Sequence, residues 1–210
     1  MTEVAGHHRE GLSIDQQIAL RTASRNLGEE FSGVFGPETI ERFLHSSYDQ
    51  FATGSTNYLP LMAERFARRR LQALARGEGH HRDPVALSLC THNAGRSQMA
   101  LGFFTHLAGE QAVAWSGGSE PGTEVNPAVI AAMAERGIDI SEEFPKPWTD
   151  EVVRAADVVV TMGCGDACPV FPGTRYENGD LDVAGIRPIR DEIERRVRRL
   201  LDDLHIPATR

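Results

Sequence analysis

Cysteine is scarce in this chain, three in 210 residues, and the number is odd. That excludes a secreted scaffold pinned by disulfides and points to catalytic or metal-binding thiols in a reducing compartment. Lysine is scarcer still: Lys146 stands alone, and nearly all positive charge is arginine. Acids outnumber bases to a net charge of −8, which argues against nucleic acid as a partner, because a phosphate backbone selects for a basic face. The basic run Arg68-Arg69-Arg70 reads as the solvated face of a helix. No apolar run approaches a membrane span. Residues 1–30 lack a charged start followed by an apolar stretch, so a soluble, cytoplasmic, non-exported protein is expected. Internal repeats and low-complexity segments are absent as well. What is there, 40% hydrophobic and 25% charged residues, is ordinary globular composition. The length suits one full domain plus something small.

Residues 1–82 read as helix only. Ile14, Ile18 and Leu27 suggest one amphipathic helix. Gly36-Pro37-Glu38 is a helix start, followed by an apolar stripe of Ile40, Phe43, Leu44, Tyr48 and Phe51. Residues 53–57 are a break, and Leu59, Met62, Phe66 and Leu74 mark a third helix. Three such stripes can bury one another as a small three-helix bundle. Residues 76–83, polar and glycine-bearing, read as a linker to a second domain over 83–210.

From Val85 the pattern alternates. Strands are expected at Val85–Leu89, Ala112–Trp115 and Asp157–Thr161. Helices are expected from Ser97 to about Leu107, from Asn126-Pro127 to a stop at Gly137, over Asp150–Ala156, and over Ile189–Leu204 with Ile193, Val197, Leu200 and Leu204 on one face. A polar loop is expected between Thr161 and the last helix. The fold class is therefore α/β, a parallel sheet covered on both sides. Trp115 and Trp148 read as packing residues.

The chemistry concentrates in Leu89-Cys90-Thr91-His92-Asn93-Ala94-Gly95-Arg96-Ser97. A cysteine, five residues, an arginine and a serine lie between a strand and a helix. A loop entering a helix N-terminus can turn the amides of Thr91, His92, Asn93, Ala94, Gly95 and Arg96 toward one point, an anion nest. Gly95 permits a left-handed or crowded backbone. Arg96 offers a planar fork to two oxygens of a tetrahedral oxyanion. Cys90 at the base of the nest sits in positive potential, which favours its thiolate, and Ser97 can donate to that thiolate. The product is a nucleophile aimed at a bound phosphate-like ion. No lysine lies in the loop, so it is not a nucleoside-triphosphate loop.

The run Cys-Thr-His-Asn-Ala-Gly-Arg-Ser-Gln-Met-Ala resembles the active-site loop of the low-molecular-weight tyrosine phosphatase and arsenate reductase superfamily. The resemblance continues through Ser116-Gly117-Gly118, Val125-Asn126-Pro127, Gly137-Ile138-Asp139-Ile140-Ser141 and Asp157-Val158-Val159-Val160-Thr161-Met162, covering essentially all of residues 84–204. Residues 1–82 resemble the helical extension of one branch of arsenate reductases. The implied fold is a low-molecular-weight phosphatase-like sandwich behind the helical bundle.

Cys164 and Cys168 follow the last expected strand, at the carboxyl edge of the sheet where Cys90 also lies. A phosphatase needs no second thiol, whereas a reductase must deliver two electrons. By resemblance to the three-cysteine arsenate reductases, Cys90 attacks arsenate, Cys164 attacks the Cys90 sulfur as arsenite leaves, and Cys168 carries the disulfide outward. Inert loop cysteines on a phosphatase, or a loosely spaced zinc pair, are the competing readings. The family's general acid lies in an Asp-Pro pair; Asp182 aligns best, with Val183 in the proline's place and Asp180 as the alternative. Asn93 is expected to brace the loop, and His92 has no assigned role beyond its backbone. Leu101 stands where some relatives carry a potassium-binding Glu, so no metal and no bound cofactor are expected. The implied partners are an arsenate- or phosphate-like oxyanion and an external thiol reductant, thioredoxin or a mycothiol-type small thiol. A tyrosine phosphatase and a non-enzymatic oxyanion-binding module are the rival functions.

Overall fold

A computed structural model describes residues 12–52, 59–79, 83–163, 175–178 and 185–209. The chain divides into two compact units, Met1–Gln72 and Ala73–Arg210.

In the first unit, α1 (Ile14–Glu30) opens with a reciprocal capping box: Gln16 N–H donates to Ser13 Oγ at 3.1 Å and Ser13 N–H to Gln16 Oε1 at 2.9 Å. Its buried face is Leu20, Ala23 and Leu27. Ile14 and Ile18 do not share that face; they are 74% and 50% exposed. At ~100° per residue they make a second stripe, nearly opposite the first. α2 (Pro37–Phe51) starts on Pro37 and buries Ile40, Phe43, Leu44 and Ser47. α3 (Leu59–Gly77) buries Leu59, Ala63, Phe66, Ala67 and Leu71, and Phe66 meets Phe51 edge to face. The expected break at residues 53–57 lies outside the described residues. The stretch expected as linker begins inside α3, since Arg76 is still helical.

The second unit is a four-stranded parallel sheet in the order β2-β1-β3-β4. The strands are β1 (Val85–Cys90), β2 (Val113–Gly118), β3 (Val158–Thr161) and β4 (Arg175–Asn178). β1 is buried along its whole length, as a central parallel strand must be. Its alternate side chains enter two cores. Ala86 and Cys90 join α4 (Arg96–Ala108), α5 (Pro127–Ala134) and α7 (Ile186–Asp203); Val85, Leu87 and Leu89 join Trp115, Ala73 and α6 (Asp150–Ala155). Both tryptophans pack on this second core.

Two expectations need correction. β2 runs on through Gly117 and Gly118, whose lack of side chains hid them as strand residues. β4 lies within the expected polar loop: Arg175-Tyr176-Glu177-Asn178 pairs with Val158–Thr161 at the sheet edge. The edge needs only backbone pairing and one half-buried ring, Tyr176, so the segment carries no apolar signature.

Arg76 and Asp157 pin the start of the sheet. Arg76 Nε donates to Ala155 O at 2.8 Å and its Nη2 meets Asp157 Oδ2 at 2.5 Å; the same carboxylate oxygen accepts from Val85 N–H at 2.7 Å. α7 is held to α5 by Arg190, whose Nη1 donates to Ala132 O and to Glu135 Oε2. The carbonyl at the end of α5 is thereby satisfied. The Asp157 bonds fix the start of β1, the strand that leads into the Cys90 loop. No helix among the described residues is long and apolar enough to cross a membrane.

Candidate active site

Cys90 ends β1 and is 5% exposed. Its register partner on β2 is Gly118. A Cβ there would fall 2.6 Å from Thr91 O and 3.0 Å from Asn93 N, so glycine alone lets the loop after Cys90 close against the strand.

The loop's carbonyls from Thr91 to Gly95 are all engaged. Thr91 O accepts from Glu120 N–H, His92 O from Gly122 N–H and Ala94 O from Asn126 N–H, each at 2.9 Å. Asn93 O accepts from Gln98 Nε2 at 2.9 Å, and Gly95 O from the amides of Gln98 and Met99 at 3.0 Å. With these five carbonyls engaged by the rest of the protein, the loop's N–H groups are the backbone donors open to an anion. α4 begins at Arg96, so its first-turn amides, unpaired within the helix, join them. The result is a cup of donors over Cys90 suited to an anion.

A buried network holds this shape. Asn93 is fully buried and left-handed, with φ 47°. Its Nδ2 donates to Ser97 Oγ at 2.9 Å; its Oδ1 accepts from Lys146 N–H at 3.0 Å and Gln98 Nε2 at 3.1 Å. Gln98 Nε2 also reaches Phe144 O at 3.2 Å. Ser97 Oγ stands 2.9 Å from Cys90 Sγ. Gly95, expected in the left-handed or crowded position, is neither: its φ is −143°, and a Cβ would meet only Val129, at 3.9 Å. Asn93 takes the left-handed turn because its own amide bonds on both sides. His92 is exposed, with Nδ1 3.0 Å from Glu120 O.

Across the cup, Arg96 lies against Gly163, just beyond β3. A Cβ on Gly163 would be 2.9 Å from Arg96 Nη1, the movable end of a long side chain; it is the backbone, at φ +75°, that requires glycine. Thr91 Oγ1 donates to Gly163 O at 2.9 Å.

Comparison with known proteins decides the family. Residues 86–170 match the low molecular weight phosphotyrosine protein phosphatase family, and residues 20–75 the N-terminal domain of protein-tyrosine-phosphatase-like proteins. The thioredoxin-dependent arsenate reductase of Corynebacterium glutamicum is 42% identical, with a TM-score of 0.83 over 90% of this chain and 98% of that one. The chain belongs to the arsenate reductases of the low-molecular-weight phosphatase family. Arsenate reductase 1 of Staphylococcus epidermidis is 40% identical over 116 residues, half of this chain and 86% of that protein. An arsenate reductase solved in a phosphate-binding state is 29% identical, with a TM-score of 0.50 over 57% of this chain and 98% of that one.

In this chain the structure brings Cys90, Thr91, His92, Asn93, Ala94, Gly95, Arg96 and Ser97 into one loop and helix start. Cys164, Cys168, Asp180 and Asp182 lie outside the described residues. Sequence reasoning missed Gln98, Gly118, Lys146 and Gly163. Gln98 and Gly118 lay inside the quoted motifs, yet Gln98 reaches Phe144 O, 46 residues on, and Gly118 exchanges backbone bonds with Lys146 and Trp148 on a distant segment. Periodicity carries no trace of such contacts.

Proposed function

We propose that the chain reduces arsenate to arsenite through a cysteine–arsenic adduct and a thiol–disulfide relay, a step in arsenic detoxification. The cup of backbone donors over Cys90, its carbonyls engaged elsewhere, with Ser97 Oγ beside the sulfur, carries the reading. The Cys90 thiolate attacks arsenic(V), forming the S–As bond. Asp182, or Asp180 in its place, protonates the departing oxygen, which leaves as water. Arg96 and the amides of residues 91–96 hold the remaining oxygens.

The Cys164 thiolate then attacks the Cys90 sulfur. The S–As bond breaks with its electron pair on arsenic, which falls from the +5 to the +3 state and leaves as arsenite. Two thiols have become a Cys90–Cys164 disulfide. Cys168 attacks Cys164, frees Cys90 and leaves a Cys164–Cys168 disulfide for an external dithiol to reduce. Thioredoxin is the reductant we favour, supported by the thioredoxin dependence in the name of the Corynebacterium glutamicum relative. A mycothiol-type small thiol, attacking the arsenic adduct directly, is the other class of reductant.

The test is NADPH oxidation coupled through thioredoxin reductase and thioredoxin, run with arsenate beside aryl-phosphate hydrolysis without reductant. Arsenate-dependent oxidation lost in Cys90→Ser is the expected result. Fast aryl-phosphate hydrolysis with no arsenate reduction would make the chain a phosphatase. Arsenate reduction only with a small thiol would replace thioredoxin.

A further inference from the structure

Gln98 is fully buried at the third position of α4, and its side chain reaches back over the Cys90 loop. Its Nε2 lies within hydrogen-bond distance of three oxygens: Asn93 O at 2.9 Å, Asn93 Oδ1 at 3.1 Å and Phe144 O at 3.2 Å. Its Oε1 is buried and meets no donor among the described residues. The orientation is forced in two steps. Lys146 N–H can only donate, so the Asn93 side-chain atom it meets is the oxygen. Turning the Gln98 amide over would then press Oε1 against three oxygens. The nitrogen, not the oxygen, is what this place requires.

What that nitrogen holds is a peptide plane. The bond joining Asn93 to Ala94 is trans, so its C=O and N–H point opposite ways. With Asn93 O held on the buried Gln98 amide, Ala94 N–H points away from that amide. In the anion cup Ala94 N–H is one of the donors; turned over, the same plane would offer the anion a carbonyl oxygen instead. We propose that Gln98 is a positioning residue for oxyanion binding: its side-chain amide holds the Asn93–Ala94 peptide in the orientation that gives the anion an N–H. The inference rests on the reading of the Cys90 loop as an oxyanion site and needs no later thiol.

The test is titration calorimetry of the full chain with inorganic sulfate, whose charge is the same at pH 5.5 and pH 9. Gln98→Met keeps the side chain's length and removes the donor. It should weaken sulfate binding about three- to thirtyfold at both pH values, the worth of one to two neutral hydrogen bonds. Gln98→Glu sets a carboxyl in the same place. Buried against three oxygens, that carboxyl titrates well above the usual glutamate range, so at pH 5.5 it is protonated and still donates. At pH 9 it ionises and repels the carbonyl it should hold. Sulfate affinity should therefore lie within about threefold of the parent at pH 5.5 and about tenfold or more below it at pH 9. The other ionisable groups around the loop, Cys90, His92, Arg96 and the Glu143–Lys146 pair, are common to parent and variant, so the parent measured at each pH removes their share.

Unchanged sulfate affinity in Gln98→Met overturns the proposal. So does a Gln98→Glu affinity whose ratio to the parent is the same at both pH values. A loss in Gln98→Met that appears only where circular dichroism shows unfolding overturns it too, since the residue would then be part of the core and no more. If Gln98→Glu unfolds at pH 9, Gln98→Met and the comparison at pH 5.5 decide. A parent chain that binds no sulfate sinks the oxyanion reading and this inference with it. Sulfate binding without arsenate reduction sinks the reductase reading and leaves the role of Gln98 standing.

Discussion

Ser97 Oγ stands 2.9 Å from Cys90 Sγ and accepts a hydrogen bond from Asn93 Nδ2. An amide nitrogen can only donate, so the serine's single hydrogen stays free for the Cys90 thiolate, which can only accept. The nucleophile therefore meets a donor oriented by a buried side chain before any substrate arrives. A hydrogen bond to a charged group is worth about 1.5–3 kcal/mol, roughly ten- to a hundredfold in rate. Ser97→Ala should slow alkylation of Cys90 by iodoacetamide at neutral pH, and kcat/KM for arsenate, by about that factor. Cys90→Ser should abolish turnover altogether, because an alcohol is far less ionised than a thiol. Equal alkylation rates in Ser97→Ala and the parent would remove the serine from this role.

Asn93 combines a left-handed backbone with buried hydrogen bonds on both ends of its amide. Asn93→Ala keeps the strained φ without local compensation and removes the buried Oδ1 that accepts from Lys146 N–H and Gln98 Nε2. Each unsatisfied buried group costs ~1–3 kcal/mol and the backbone ~1 kcal/mol, so a loss of about 2–4 kcal/mol is expected in urea unfolding. Asn93→Gly relieves the backbone alone and should recover about 1 kcal/mol of it. Equal stability of the two variants would show that φ is not the strained coordinate.

Much of this molecule was legible because local chemistry and tertiary placement agree. The β1 apolar run, the 3–4 spacing along α2 and the Cys90–Ser97 loop each declare themselves within a dozen residues. Failures occur where the deciding partner is remote. Ile14 and Ile18 read as a core face until Leu20, Ala23 and Leu27 take that position, and periodicity alone cannot choose between two apolar stripes. β4 is polar because an edge strand borrows its stability from β3. The left-handed turn was expected at Gly95 on intrinsic preference; Asn93 takes it because Ser97, Gln98 and Lys146 converge on its side chain. Gly163 meets Arg96 and Thr91, 67 and 72 residues earlier, a juxtaposition only the closed sheet creates.

The join between α5 and α7 should set an acid limit on stability. Glu135 accepts from Arg187 Nε at 2.9 Å and from Arg190 Nη1 at 2.8 Å. These bonds, Arg187 first, hold its carboxyl down from 4.5 to about 2. A depressed folded-state value means the unfolded chain binds the proton first. The contribution is therefore complete above about pH 4.5 and is lost as pH falls toward about 2. Asp191 is lowered in the same direction, by Arg136 and then Arg190. Glu135→Gln should melt below the parent at pH 7, and the gap should narrow below pH 4.5. A gap constant down to pH 3 would mean that packing, not charge, holds the two helices. Glu135 is 41% exposed, so salt should shrink the gap at neutral pH.

The two late cysteines make separable contributions if the relay runs from Cys90 to Cys164 to Cys168. Cys168→Ser keeps the two thiols that expel arsenite, so it should release one equivalent per enzyme and then stop with a Cys90–Cys164 disulfide. Cys164→Ser lacks the thiol that attacks the adduct, so it should release little, and its Cys90 should remain modified or slowly hydrolyse. With all three present, the oxidised protein should carry a Cys164–Cys168 disulfide. Thioredoxin should reduce it, because its potential of about −270 mV is more reducing than that of most exposed disulfides. Rapid-quench measurement of arsenite with mass mapping of disulfides in each variant reads every one of these states. Normal turnover by both variants with a small thiol would make Cys164 and Cys168 bystanders and move the second electron pair to that thiol. Release by Cys164→Ser but not by Cys168→Ser would keep the relay and reverse its order.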